Sequence, residues 1–148
     1  RQRKNLHLKN IEVATMTTQK TINNLYHEFN TYDVKRILKM KNIPVLYYPL
    51  GNVTLGYTAT IKRIKTITVD NSLNEIQTDF ILGHELSHVL NNDIGTPYYR
   101  RVGSFSAISK KEKQANNLSL GLLACRYELD KYSRDMQIKQ LGLSDFLD

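Results

Sequence analysis

The segment from Phe80 to Leu90 contains the residues whose types and spacing are best suited to chemistry. It reads Phe-Ile-Leu-Gly-His-Glu-Leu-Ser-His-Val-Leu, so His84 and His88 are four residues apart and Glu85 follows the first of them. Residues four apart on a helix project from one face, so two imidazoles at this spacing can bind one ion. Glu85 is placed to act as a general base toward a metal-bound water. This arrangement is typical of zinc hydrolases.

An ordinary core helix is the first alternative to a metal site in this segment. Two histidines and a glutamate in an otherwise apolar helix would each need a buried hydrogen-bond partner, and each one left unsatisfied would cost about 1 to 3 kcal/mol. A single metal ion satisfies them together, so we favour a metal site. A degenerate site, which keeps the motif without the activity, is a second alternative.

A third protein ligand is needed, because a catalytic zinc normally has three and leaves the fourth position to water. The longer motif with a further glycine and histidine is excluded, since the required positions hold Asn91 and Ile94. Glu112 is the best candidate: it begins a predicted helix, and small residues on the same face permit close approach to the histidine helix. Glu128 and Asp93 are the alternatives, whereas His7 and His27, in the N-terminal region, are interpreted as surface residues. The alternative to a ligand role for Glu112 is that it is a solvated charge at the start of its helix, among neighbouring lysines.

Other side chains could support the chemistry from further out. Asn116, one helical turn after Glu112, could orient a metal ligand through a hydrogen bond. An oxyanion that develops during the reaction needs a donor, and Tyr98, Tyr99 or the two arginines that follow them could supply it from the loop between the motif helices. Clusters of Tyr and Arg in loops are also common as plain surface contacts, and that interpretation stays open.

The rest of the chain predicts the elements that must position these residues. Apolar residues at helical spacing predict a helix that Thr17 or Thr18 caps, followed by a short helix over residues 32–40. Segments rich in β-branched and aromatic residues then predict three strands, at Ile43–Tyr48, Thr54–Thr60 and Ile64–Val69. We expect these strands to form a small, mostly antiparallel sheet.

Two capping patterns predict where the motif helices begin. Ser72 with Glu75 is a capping box for a helix to about Leu90, and its apolar residues fall on nearly every side, as in a helix buried on most of its surface. Ser109 with Glu112 predicts a second long helix, through about Tyr127. A last short helix is predicted over residues 131–141. The fold class is α+β, with the three-stranded sheet packed on a helical core that contains the HExxH helix.

Composition limits the remaining possibilities. The 148 residues suffice for one hydrophobic core, so we expect residues 1–148 to form a single domain. No uninterrupted apolar run of membrane-spanning length occurs, and the first ten residues do not resemble a secretory signal. The single cysteine, Cys125, excludes a disulfide framework and fits a reducing compartment. We therefore expect a cytoplasmic protein without a membrane partner.

The net charge of +7 is concentrated at the N-terminus, where residues 1–41 contain nine Lys or Arg and three acidic residues. Residues 1–16 are interpreted as a basic, flexible arm. Such an arm could meet nucleic acid or an acidic partner. A Lys- and Asn-rich composition is also a general solubility feature, so direct nucleic-acid binding is not expected.

The combination of two motifs resembles the ImmA/IrrE family of bacterial and phage metallopeptidases. These motifs are HExxH at His84–His88 and ExxAN at Glu112–Asn116, and the likeness is best over residues 43–125. The resemblance implies that both histidines and Glu112 bind Zn²⁺ and that Glu85 is catalytic. It also implies a zincin-like core of the thermolysin type, and thus a zinc endopeptidase of the gluzincin type.

The resemblance also implies a substrate, since members of this family cut helix-turn-helix repressors that silence mobile elements or stress genes. The expected protein is thus a phage or mobile-element endopeptidase whose partner is a DNA-binding repressor. One alternative is an antirepressor that keeps the metal site and binds the repressor without cutting it. Another is a protease of the SprT-like kind that acts on DNA-bound proteins, which the basic arm would suit; the cysteine-rich zinc ribbon often found there is absent from the sequence.

Overall fold

The computed structural model describes residues 17–93, 97–99 and 108–147. The N-terminal arm, residues 1–16, lies outside the described residues. Within those ranges the chain forms helices and strands in the order α1 (17–29), α2 (Val34–Met40), β1 (Val45–Tyr48), β2 (Thr54–Ile61), β3 (Ile64–Asp70), α3 (Glu75–Leu90), β4 (Tyr98–Tyr99), α4 (Lys110–Arg126) and α5 (Arg134–Gln140). The α+β class is confirmed.

The sheet has the strand order β1-β3-β2-β4. β2 pairs antiparallel with both β3 and β4, whereas β1 runs parallel to β3, with Val45 opposite Ile67. The sheet is thus mostly antiparallel, as predicted, but it has a fourth strand that the sequence does not indicate. β4 has two residues, too few to show the alternation of apolar and polar side chains by which strands are recognised.

A tight turn joins β2 to β3. Ile61 pairs with Ile64, so only Lys62 and Arg63 form the connection, and both have positive φ, 50° and 68°. A two-residue hairpin of this type requires positive φ at both central positions, which Asn and Gly adopt far more readily than Lys or Arg. The turn therefore joins the strands closely, at a cost in backbone strain.

Helix α3 begins two residues later than the Ser72 capping box predicts. Asn74 is the N-cap: its side chain accepts a hydrogen bond from the backbone of Gln77, whose side chain accepts one from the backbone of Asn74. The hydroxyl of Ser72 instead donates to the carboxylate of Asp70 at the end of β3. The reciprocal cap formed by Asn74 and Gln77 thus prevails over the Ser72–Glu75 pattern.

Helices α3 and α4 pack closely where their side chains are small. A Cβ atom added at Gly83 would lie 2.4 Å from Ser119 Oγ, and that hydroxyl donates to the carbonyl oxygen of Phe80 at 2.6 Å. All residues of α3 from Thr78 to His88 are buried, as its apolar distribution predicts. The close contact brings the first turn of α4 beside the histidines.

The other face of α3 packs on the sheet and on α2. At the sheet, Gly56 of β2 leaves room for Ile81, whose Cγ2 would lie 2.4 Å from an added Cβ. At α2, the fully buried carboxylate of Asp79 lies 3.2 Å from Lys35 Nζ and 2.7 Å from Arg126 Nη1. These two ion pairs of Asp79 join α2, α3 and α4. No helix of the described part of the chain is long and apolar enough to cross a membrane.

Candidate metal centre

The structure brings His84, His88 and Glu112 together at the contact between α3 and α4. His84 Nε2 lies 2.8 Å from Glu112 Oε2, and His88 Nε2 lies 3.1 Å from Glu112 Oε1. The two Nε2 atoms are themselves 3.1 Å apart. Both histidines are buried, while the Glu112 side chain is 23% exposed, so one side of the cluster is accessible from solvent. Three potential ligands therefore meet at one point near the protein surface.

The outer nitrogen of each imidazole faces an acceptor. His84 Nδ1 lies 2.7 Å from Asn116 Oδ1, and His88 Nδ1 lies 3.5 Å from Asp93 Oδ2. An Nδ1–H that donates to such an acceptor fixes the tautomer and leaves the lone pair of a neutral imidazole on Nε2. In this tautomer both Nε2 lone pairs are available to a metal ion beside Glu112, whereas an Nε2 that carries a proton donates to the Glu112 carboxylate. Asn116 therefore contacts the imidazole of His84, a candidate ligand, and its role in orienting a metal ligand stays a prediction.

This donor set fits a metal ion. Two Nε2 lone pairs and a carboxylate are all acceptors, so they repel each other unless a cation or protons lie between them. Ligands of a tetrahedral zinc are about 3.3 Å apart, close to the separations that the structure shows among these atoms. Two imidazoles and one carboxylate are also a common ligand set for a catalytic zinc with one open position. The residues could therefore hold such an ion with only small adjustments.

The pKa shifts of Glu112 and His88 are also consistent with a metal site. Burial alone would raise the pKa of Glu112, but its hydrogen bonds to His84 and His88 outweigh this effect and lower the pKa to about 2. The hydrogen bond to Glu112 also raises the pKa of His88. Glu112 is therefore ionised at neutral pH, and a proton on His88 Nε2 would compete with a metal ion for the same lone pair.

Glu85 lies in the buried space between α3 and the sheet. Its Oε2 accepts a hydrogen bond of 2.7 Å from the hydroxyl of Thr58 on β2, and its Oε1 has no hydrogen-bond partner among residues 17–93, 97–99 and 108–147. Burial raises the pKa of Glu85 above its usual value, although the Thr58 hydrogen bond partly opposes this shift. One carboxylate oxygen is therefore fixed in place, while the other can accept a proton.

Tyr98 and Tyr99 are predicted as possible oxyanion donors, and the structure describes the side-chain contacts of Tyr98 but only the backbone of Tyr99. Tyr98 lies with its ring 4.7 Å from that of His84, at an interplanar angle of 78°, and its hydroxyl donates to the carbonyl oxygen of Phe146 at 2.9 Å. The hydroxyl of Tyr98 thus bonds to Phe146 while its ring packs against His84, and a role of Tyr98 as an oxyanion donor stays a prediction. The backbone of Tyr99 belongs to β4. The two arginines that follow lie outside the described residues.

The alternative ligands do not join the cluster. Asp93 lies behind His88, at Nδ1, and also 3.7 Å from Lys111 Nζ. Glu128 is exposed beyond the end of α4, and His27 is exposed on α1. His7 lies outside the described residues. Among the described residues the group that could hold a metal ion is thus the predicted one, His84, His88 and Glu112.

The sequence did not predict two contacts at this site. These are the hydrogen bond from Thr58 to Glu85 and the position of Asp93 at His88 Nδ1, on the side away from Glu112. A buried Thr on a strand is common, and nothing in its spacing relates it to a glutamate 27 residues later. The sequence indicates only that Thr58 is a polar residue on the face of β2 that packs against an apolar helix, and so needs a hydrogen-bond partner there. Asp93 had a clearer signal, since it follows the histidine helix directly.

The comparisons with known proteins agree with this geometry. The sequence model of the family described as IrrE N-terminal-like domain, Peptidase_M78, matches residues 38–139. The chain is also 27% identical, over 112 residues, to the uncharacterized immunity region protein 2 of Bacillus phage phi105, which covers 75% of this chain and 70% of that protein. No solved structure matches the chain significantly. With more than half of its length matched, the chain belongs to the Peptidase_M78 family of metallopeptidases with an IrrE N-terminal-like domain.

Proposed function

We propose that this protein is a zinc-dependent endopeptidase that cleaves a helix-turn-helix repressor, with Glu85 as the general base. The observation that carries the proposal is the convergence of two imidazole Nε2 atoms and the Glu112 carboxylate, with the Glu85 carboxylate on the next residue of the same helix. A structural metal site would not need a buried carboxylate outside the three ligands. This fourth group is what the chemistry of hydrolysis adds.

Zinc is the ion that this set of donors favours. Imidazole nitrogens suit zinc better than they suit magnesium or calcium, which prefer oxygen ligands throughout. His84, His88 and Glu112 would hold it, while Asn116 and Asp93 would keep both imidazoles oriented. When bound there, zinc supplies a Lewis acid that lowers the pKa of a water and polarises a peptide carbonyl.

The chain's own groups then handle the proton. Glu85 Oε1 takes a proton from the attacking water and returns it to the nitrogen of the leaving amine. Thr58 holds Oε2, so the carboxylate does not have to be oriented anew in each cycle. The raised pKa of Glu85, which burial causes, makes its carboxylate a stronger base than a solvated one.

The repressor is proposed as substrate because of the phage relative. That protein is described as an immunity region protein of Bacillus phage phi105. A peptidase related to that protein could form a simple switch with a repressor encoded on the same mobile element. Cutting the repressor would release the genes that it silences. The gluzincin type of site, HExxH with a downstream glutamate, is part of the same proposal.

The proposal is tested by incubating the purified protein with the repressor encoded nearest to its own gene. We expect two fragments, seen by mass spectrometry, that appear with added zinc and disappear with a chelator. An intact repressor that nevertheless co-purifies with the protein would contradict the peptidase proposal and would support the non-cleaving antirepressor. Stimulation of cleavage by DNA would instead favour a protease that acts on DNA-bound proteins.

Replacing Thr58 by Val should weaken catalysis without loss of metal. The change keeps the shape of the side chain but removes the hydroxyl that holds Glu85 Oε2, a contact worth about 1 to 1.5 kcal/mol. We therefore expect kcat to fall about tenfold while KM and the zinc content, measured by atomic absorption, stay unchanged.

Two further variants identify the cause. Thr58→Ser restores the hydroxyl and should recover most of kcat. Thr60→Val makes the same replacement at an exposed threonine on the same strand and should leave kcat unchanged. A Thr58→Val protein with native kcat would show that Glu85 does not depend on this hydrogen bond.

A further inference from the structure

The turn between β2 and β3 exposes both apolar and basic side chains. We call residues Ile61, Lys62, Arg63 and Ile64 the hairpin tip. Ile61 is 48% and Ile64 is 51% exposed, and both basic residues between them are exposed. Two isoleucines that flank two cations form an amphipathic surface, which is unusual for a turn whose only task is to connect strands.

The backbone of the hairpin tip shows that its residues are not those that the turn itself prefers. Lys62 and Arg63 both have positive φ, where a side chain with a Cβ is strained. Asn followed by Gly would adopt the same turn with little strain. Residues held in strained conformations cluster where a protein binds or acts. The strain thus suggests that the two cations serve a purpose other than folding.

The two cations are also available for a partner. Across the described ranges of the chain, neither Lys62 nor Arg63 forms an ion pair or a hydrogen bond through its side chain. Lys65, just after the tip, differs from them because its Nζ donates to Asn92 Oδ1 at 3.1 Å. Lys62 and Arg63 can therefore meet an acidic group without breaking an internal contact.

Both strands that end at the hairpin tip are connected to the candidate metal centre through side-chain contacts. β2 places Thr58 against Glu85, and Ile61 follows three residues later, about 10 Å along the strand. On the other strand, Lys65 joins the tip to Asn92, and the next residue is Asp93, which contacts His88. Ile61 and Ile64 lie on the sheet face opposite Thr58, because side chains alternate along a strand, so a protein bound at Glu85 would reach them around the end of the hairpin.

We propose that the hairpin tip is a docking surface for the protein substrate, and that it binds an acidic surface with an apolar centre. This inference rests on the proposed peptidase function, since it takes the substrate as the occupant. Charge complementarity requires a negatively charged partner for Lys62 and Arg63. The exposed Ile61 and Ile64 favour a protein over a nucleic acid, because apolar side chains gain little beside phosphates but gain stability against other apolar groups.

The experiment replaces the strained pair by its relaxed equivalent in a protein that cannot cleave. Lys62→Asn with Arg63→Gly, made together in the Glu85→Gln background, should raise the melting temperature, because the turn is relieved of strain. The same change should weaken binding of a fluorescent amphipathic peptide of Glu and Leu about fivefold to tenfold in anisotropy titrations.

The matched control removes two positive charges elsewhere. Lys131→Asn with Lys139→Asn, at two exposed positions, lowers the net charge equally and should leave peptide binding unchanged. A peptide with Lys in place of Glu should not bind the parent protein. Equal affinity of both double variants for the acidic peptide would overturn the proposal, and so would stronger binding of duplex DNA with the same dependence on Lys62 and Arg63.

The binding assay does not depend on cleavage, so it is separate from the test of the peptidase function. If the native protein cut no repressor and the acidic peptide still required the hairpin tip, the peptidase proposal would fall, and the tip would be a binding surface for an acidic protein that is not a substrate. If cleavage occurred and neither double variant affected the peptide, the docking surface alone would fall.

Discussion

Glu85→Gln should strongly slow cleavage and leave the metal in place. The amide cannot accept a proton from the attacking water, and general-base catalysis of this kind contributes about 10²- to 10⁴-fold to the rate. The replacement is nearly isosteric, so the amide oxygen can still accept the hydrogen bond from Thr58. His84, His88 and Glu112 do not depend on Glu85 for their contacts. We expect kcat to fall by that factor with an unchanged zinc content.

The comparison with Glu85→Asp makes this prediction more specific. Aspartate keeps the carboxylate but is one methylene shorter, so it should retain partial activity if proton transfer is the function of residue 85. Melting temperatures, measured without metal, provide the control for folding. Glu85→Gln should be at least as stable as the native protein, because a neutral amide is easier to bury than a carboxylate whose pKa burial has raised. Native kcat in the Gln variant would contradict the role of Glu85.

The candidate metal site could be predicted because the spacing of its residues is local to each helix. His84 and His88 are related by one turn of α3, and the ExxAN pattern marks Glu112 and its helical neighbour Asn116. Helix geometry converts such spacings directly into positions on a face. That the two faces meet depends on a tertiary contact, but small residues such as Ser119 on the α4 face already indicated it.

The sheet could be predicted only in part, because its pairing is not local. Alternating β-branched residues predict β2 and β3 to within one residue. Nothing in those segments indicates that β1 would lie beside β3 rather than beside β2. Nor do they indicate that Tyr98–Tyr99, which follow α3 in the sequence, would pair with β2. These choices follow from how the sheet covers α3. The Thr58–Glu85 contact is unpredictable for the same reason.

The start of α3 differs from the predicted one because two residues before it can act as the N-cap. Ser72 and Asn74 both precede α3, and both are good N-caps. Asp70 decides between them, because its carboxylate accepts hydrogen bonds from the hydroxyl and backbone of Ser72 and from the backbone of Leu50. Ser72 is thus held at the end of β3, and Asn74 is left to cap the helix.

Glu112→Ala should lose the metal. The variant leaves two imidazoles, whereas a catalytic zinc needs three protein ligands. Structural zinc sites with four ligands bind with about 10 to 16 kcal/mol, so each ligand contributes about 2.5 to 4 kcal/mol, and affinity should fall about 10²- to 10³-fold. Competition with a chromogenic chelator measures this directly. Glu128→Ala, at an exposed position beyond the same helix, is the control and should bind zinc as the native protein does.

The Glu112 variant also separates loss of a ligand from loss of the fold. In the metal-free protein the Glu112 carboxylate lies against both imidazoles, so its removal also removes an ion pair from His88. Glu112→Asp retains that charge at a shorter reach and should bind zinc with intermediate affinity. If Glu112→Ala has the native circular dichroism spectrum and zinc affinity, Glu112 is not a ligand. If it folds and binds zinc weakly while Glu112→Asp binds in between, the carboxylate of α4 completes the site that the two histidines of α3 begin.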